Sequence, residues 1–299
     1  MNRYIKNHHL DIACLVLLQL FSRTLKKLFS LLMKRFITAL SVFAMVLGLA
    51  GGLPHAAEAA SLTSLNNIKS GDLVRGETFS AVYYLGKDGF RYVFPNDKTY
   101  FTWYSNFDSV KWISDADLGT LQIGGNVTYK AAGRMVKINS DPKTYAVSQG
   151  GTLRWVKTEA AATALYGSAW NTMIDDVPDA FFGSNYHIGS PIETEADFNR
   201  TEEAANANTI NDDKDLQSPM VIMINSTGFS PSTLTVSTNR PVKFINQDSG
   251  KHSATGNDLN WGTGTLNTDQ NFTRYFKTAG TFTYFDSYNQ SNMGTIIVQ

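Results

Sequence analysis

Cysteine is almost missing from this chain. The single one, Cys14, stands near the start, so everything beyond residue 59 is free of thiols. That excludes a disulfide, a thiolate metal site and a cysteine nucleophile from the body of the protein. It also excludes a lipoprotein anchor, because no cysteine stands beside the expected cleavage site. Histidine is nearly as scarce: of five in the chain, only His187 and His252 lie past residue 59. No H-E-x-x-H pair, no phosphate-cradling glycine loop and no Ser-His-Asp set can be assembled, so an enzyme is not expected. Charge is thin too, at 17 % of residues with a formal net of zero. Seven of the 26 basic and two of the 26 acidic residues fall within 1–59, which leaves 19 against 24 beyond it. A mildly acidic body has no basic stripe for phosphates, so nucleic acid is not an expected partner.

The start of the chain reads as a targeting segment. Met33-Lys34-Arg35 precedes the uncharged, mostly apolar run Phe36–Leu53 and then Ala57-Glu58-Ala59. This is a basic region, an apolar core and an A-x-A cleavage site, with cleavage expected after Ala59. Translation starts either at Met1 or at Met33. An uncleaved anchor is the competing reading, since Ile37–Leu53 sits at the lower length limit for a spanning helix. Either reading exports the protein to the periplasm, the cell surface or the medium, and the membrane is touched only through this leader.

Three zones follow. Residues 60–190 are dense in aromatics and turn signals and contain a degenerate internal repeat, in units of about 70–130 and 131–190. Leu73-Val74-Arg75 answers Met135-Val136-Lys137, and Arg91-Tyr92-Val93 answers Arg154-Trp155-Val156. Each unit reads as a hairpin, a short helix and an extended return. The first hairpin turns at Lys87-Asp88-Gly89, the second at Gln149-Gly150-Gly151. In the second unit Thr158 caps a helix that Gly167 ends. Residues 191–217 are rich in Glu, Asp, Asn, Ala and Thr with few large apolar residues, the composition of an acidic flexible linker between parts that move independently. Residues 218–299 alternate apolar and polar positions between turn signals, which predicts strands. The fold class expected is an α+β repeat region followed by an all-β sandwich.

The stretch Val82–Pro95, with Asp175-Asp176-Val177-Pro178, resembles the aromatic-rich tandem repeats of exported bacterial surface proteins. That likeness brings no catalytic residue with it. The aromatics, among them Tyr83, Tyr84, Tyr92, Tyr100, Trp103, Trp112, Trp155 and Trp170, are either core or stacking platforms for sugars. The recurring Asp115, Asp117, Asp175, Asp176 and Asp179 fall where turns and helix caps favour aspartate.

The last zone is more specific. Gly228–Val236 carries F-S-P-x-x-L-x-V, Val242–His252 carries V-x-F-x-N-x-D-x-x-x-H, and Ala279–Tyr284 carries A-G-T-F-x-Y. In that order these resemble the cupredoxins, the plastocyanin-like family, over residues 218–299, which implies a Greek-key sandwich. The family's blue-copper site uses two His, a Cys thiolate and an axial Met. By the resemblance, His252 holds the first His position. Asp286 stands at the Cys position, Asn289 at the second His and Asn292 at the Met, and Met293 lies one residue from the axial place. The copper ligands are mostly lost. What remains is either a hydrogen-bonded polar remnant, with His252 a surface-loop residue, or a weak Cu(II) or Zn(II) site of His252, Asp286 and Asn289.

The function expected is therefore a non-enzymatic, monomeric structural or interaction protein without a cofactor, its partner a protein or a cell-envelope glycan. A copper-binding carrier is the alternative.

Overall fold

The structure is a computed structural model that describes residues 61–299. The leader expected over residues 1–59, with its start site and cleavage point, lies outside the described residues. Among the described residues no helix is long and apolar enough to cross a membrane.

The first sheet is built from β1 (Leu73–Arg75), β2 (Tyr83–Leu85), β3 (Arg91–Val93), β4 (Val110–Trp112) and β5 (Ile123–Asn126). Helices α1 (Asp97–Phe101) and α2 (Asp115–Thr120) lie before β4 and β5. The order across the sheet is β4-β1-β2-β3-β5. An antiparallel meander, β1 to β3, is flanked by one parallel strand on each side. The second sheet repeats this plan with β6 (Met135–Ile138), β7 (Asp141–Ser148), β8 (Thr152–Trp155), β9 (Ile174–Asp176) and β10 (His187–Ile188), ordered β10-β8-β7-β6-β9. Here α3 (Glu159–Tyr166) precedes β9 and α4 (Asp179–Asn185) precedes β10. Strand directions match position for position.

Local chemistry accounts for these elements. Gly89 at φ 88° and Gly150 at φ 70° take the left-handed backbone that the two hairpin turns need. Asn96 accepts from the Thr99 N–H to cap α1, and Thr158 accepts from the Ala161 N–H to cap α3, which stops at Gly167. Tyr84, Tyr92 and Tyr100 are buried in the first unit's core, and Trp103, Tyr104, Trp112, Trp155 and Trp170 are half-buried. Aspartates act locally: Asp115 accepts from the Glu77 N–H at 2.9 Å, and Asp175 takes Arg134 at 2.6 Å.

Residues 191–217 are not a free linker. They form α5 (Arg200–Asn206) and α6 (Ile210–Asp213), and Ile192, Phe198, Ala207, Ile210 and Leu216 are buried. Phe198 and Ile192 pack with Ala161, Ala162 and Tyr166 of the second unit, while Ile210 and Leu216 join Leu73, Tyr84 and Phe94 of the first. The polar residues that read as a tether are helix caps. Asn199 accepts from the N–H groups of Thr201 and Glu202, and Thr209 and Asp212 form a reciprocal capping box. Others hold the two hairpin turns. The Glu203 carboxylate accepts from the Ser148 hydroxyl and the Gln149 N–H, both at 3.0 Å, and Asp213 accepts from the Gly150 N–H at 3.1 Å. Asn211 accepts from the Lys87 N–H at 2.9 Å.

The remaining strands are β11 (Met220–Asn225), β12 (Gly228–Ser230), β13 (Thr233–Val236), β14 (Pro241–Asn246), β15 (Thr255–Gly256), β16 (Asn271–Tyr275), β17 (Gly280–Asp286) and β18 (Asn289–Val298). They make two four-stranded sheets, β12-β11-β14-β16 and β13-β18-β17-β15. Ile222, Ile224, Phe244, Trp261, Tyr284 and Ile296 fill the space between them. The sandwich is also in contact with the first unit. The Tyr275 hydroxyl of β16 and the Tyr92 hydroxyl of β3 each donate at 2.6 Å to Asp88, which is fully buried in its turn. Burial, with the Asp88 carboxylate second, pushes the Tyr92 phenol well above the tyrosine range. The Gln122 side-chain amide pairs with both backbone groups of Thr273, at 2.6 and 3.1 Å, and so covers part of the free edge of β16.

Candidate functional site at the tip of the sandwich

The ends of β14 and β17 bring the site together. Asn246, the last residue of β14, is fully buried. Its amide donates to the carbonyls of Gly250 at 2.7 Å and Leu266 at 2.9 Å, while its oxygen accepts from the Asp248 N–H at 2.8 Å. One side chain thus sets the path of the loop from 247 to 252. His252 then pairs its backbone with Leu266 in both directions, at 3.1 and 2.8 Å.

His252 is consequently not a surface-loop residue. It is 8 % exposed, and both ring nitrogens meet carboxylates: Nδ1 lies 2.6 Å from Asp286 and Nε2 lies 3.0 Å from Asp248. A protonated imidazole donates from both nitrogens and fits this pair of acceptors. Burial alone would lower the ring's pKa, but the hydrogen bonds and charges of Asp286 and Asp248 outweigh it and hold the pKa above the usual histidine value. The same bond holds the Asp248 carboxyl below its usual range, helped by the Ser249 N–H.

Asp286 is fully buried. Its second oxygen accepts from the N–H groups of Ser253 and Tyr288, each at 3.0 Å. Around it, Ser253, Thr255 and Ser287 form a hydroxyl chain with distances of 3.2 and 2.9 Å.

Of the residues singled out from the sequence, His252 and Asp286 meet, and the rest do not join them. The connection after β17 is only Ser287 and Tyr288, so Asn289 pairs directly across from Asp286. Asn289 is exposed, and its oxygen accepts from the Ser291 hydroxyl at 2.6 Å. Asn292 is half-buried beside Gly228, and Met293 is 58 % exposed, opposite Phe285 in the ladder. Asp248 is the partner that the sequence reading passed over. Its spacing of four residues from His252, after Asn246, was the available signal.

The residues that meet here do not make a copper ligand set: both nitrogens of His252 are hydrogen-bonded to carboxylates, and Asn289 and Met293 lie along β18 away from them. Among the described residues no three His, Cys, Asp or Glu side chains are grouped as a metal ion would require.

Residues 203–298 match the family model of the cupredoxin-like domain. The match opens inside α5, ahead of the first strand of the cupredoxin-like domain at Met220. No curated protein matches the chain. Among solved structures, the chain is similar to a purple cupredoxin from Nitrosopumilus maritimus, at 23 % identity over 27 % of this chain and 99 % of that one, with a TM-score of 0.26. A copper-containing nitrite reductase from Thermus scotoductus is 22 % identical over 28 % of this chain and 23 % of its own, with a TM-score of 0.27. A mutant of amicyanin in its Cu(I) form is 19 % identical over 28 % of this chain and 85 % of its own, also with a TM-score of 0.27.

Proposed function

We propose that the chain is an exported, non-enzymatic protein in which a degenerate cupredoxin-like domain serves as a structural and interaction module. The observation that carries this reading is His252 held between Asp248 and Asp286, at 3.0 and 2.6 Å. In this reading an imidazolium and two carboxylates do the mechanical work that a metal does in a copper-loaded sandwich, tying the end of β14 to the end of β17. Export rests on the leader and on the likeness of residues 70–190 to aromatic repeats of bacterial surface proteins. The partner class is a protein or a cell-envelope glycan.

The match to the cupredoxin-like domain favours a second reading, a copper-binding carrier. Copper titration of the purified protein separates the two, followed by visible absorption, EPR and melting, with His252→Ala alongside. The interaction reading expects no thiolate-to-copper band and no copper-induced stabilisation that depends on His252. Tight, His252-dependent copper binding with a raised melting temperature would replace it with a metal-handling role.

A further inference from the structure

The first repeat unit carries a cavity of about 560 Å³ at its junction with the second. Most of its wall comes from the strand ends before β2 and after β3 and from α1, and Phe181 of α4 closes one side. The volume lies within the range of small-molecule sites, which are mainly apolar with a few polar groups that orient the ligand.

Its chemistry selects among ligands. Phe107 stacks on Tyr100 with centroids 4.3 Å apart and an interplanar angle of 20° and meets Phe101 edge-on at 5.4 Å, yet it is 48 % exposed, so part of its ring stays in contact with solvent. The Tyr100 hydroxyl is spent on the Asn106 carbonyl at 2.7 Å. Asn96 uses its oxygen to cap α1, and Asn126 uses its amide nitrogen on Asn185 at 2.7 Å. Among the described residues the Asn96 amide nitrogen and the Asn126 amide oxygen have no hydrogen-bond partner, so these lining residues offer one donor and one acceptor beside a half-exposed ring. No lysine or arginine lines the cavity, and its one carboxylate is Asp97. That charge disfavours phosphates and uronates and accepts hydroxyl donors. A half-exposed aromatic ring suits the C–H face of a pyranose, and split amide groups suit its hydroxyls.

We infer that this cavity binds a neutral saccharide of one or two rings. The inference rests on the reading of the chain as an interaction protein and names the partner's class, but it is independent of His252. Failure to bind sugar would leave the result of the copper titration untouched.

The test is titration of the full-length protein with soluble neutral oligosaccharides of glucose, mannose and N-acetylglucosamine, and with an oligouronate, followed by calorimetry and NMR. Saturable binding of at least one neutral class is expected. Phe107→Ala should weaken it by at least about tenfold, and Asp97→Asn by less. Phe79→Ala, at an exposed ring outside the cavity, should leave it unchanged. Phe107→Leu, which keeps apolar packing on Tyr100 but removes the ring, should weaken binding as Phe107→Ala does, which separates loss of the ring from loss of stability. The inference is overturned if no neutral sugar saturates by roughly 10 mM, if Phe107→Ala binds as the parent does, or if the oligouronate binds best.

Discussion

His252 and Asp213 place the ionisation chemistry of the molecule at two single residues. A histidine whose pKa is raised on folding contributes stability that is fully present below its unfolded value of about 6.5 and lost as pH rises through the folded one. His252→Ala strands the fully buried Asp286, and losing one partner of a buried pair costs about 3–5 kcal/mol. Urea melts of parent and variant should therefore differ most from mildly acidic to neutral pH, with the gap closing in alkali. Asp248, held low, limits the same plateau on the acid side, where protonation removes its bond. A gap that widened with rising pH would contradict a charged His252. Asp213 has the opposite character for a carboxyl. Burial raises its pKa to about 6, against the Gly150 N–H that lowers it, and one of its oxygens has no partner. A raised carboxyl favours folding when protonated, so stability should fall as pH climbs from its unfolded value of about 3.9 through 6. Asp213→Asn keeps an acceptor for Gly150 and removes the buried charge. At pH 8 it should stabilise the protein by roughly 1–3 kcal/mol and flatten that slope. A destabilised variant at pH 8 would show that the charge is needed.

At the scale of elements, α5 and α6 act as a clasp across the turns of both hairpins. Glu203→Ala removes two acceptors at once, from the Ser148 hydroxyl and the Gln149 N–H, and should cost about 1–3 kcal/mol in a urea melt. Glu203→Gln should recover part of that loss, and an unchanged midpoint in the alanine variant would mean the clasp bears no load. The hairpins themselves were legible from Asp88-Gly89 and Gln149-Gly150, and α3 from Thr158 and Gly167, because turns and caps are decided by adjacent residues. The clasp was not. The five buried apolar residues of 191–217 are spaced too widely to show a period, and their cover is distant in sequence: the second unit for Ile192 and Phe198, the first for Ile210 and Leu216. The tip was legible in part. The spacing of the V-x-F-x-N-x-D-x-x-x-H stretch led to His252, and the place after T-F-x-Y led to Asp286. The resemblance also pointed to Asn289, Asn292 and Met293, but the two-residue connection of Ser287 and Tyr288 sends them down β18 and away from the tip. Asp248 was in plain sight, and only the three-dimensional closing of the loop by Asn246 makes it a partner.

For the molecule as a whole, repeats and sandwich meet at Asp88, which receives hydroxyls from both sides and the Phe90 N–H at 3.2 Å. No sequence pattern announces such a junction, since Asp88 and Tyr275 lie 187 residues apart. Tyr275→Phe removes one donor and should cost about 1–2 kcal/mol, whereas Asp88→Ala leaves two phenols and an N–H without their acceptor and should cost more. Both losses should appear as lower cooperativity between sandwich and repeats in hydrogen exchange. If the two parts exchange with unchanged, coincident protection in Asp88→Ala, the junction does not couple them.

In the proposed reading His252 is an imidazolium held by two carboxylates, at the position where the resemblance places a copper ligand. Nitrogen-15 NMR of the histidine ring at neutral pH tests it most directly, with and without added Cu(II). Two protonated ring nitrogens are expected, each coupled to its own hydrogen, with no selective loss of these signals when copper is added. A ring with one bare nitrogen, whose resonances vanish at stoichiometric Cu(II), would contradict it.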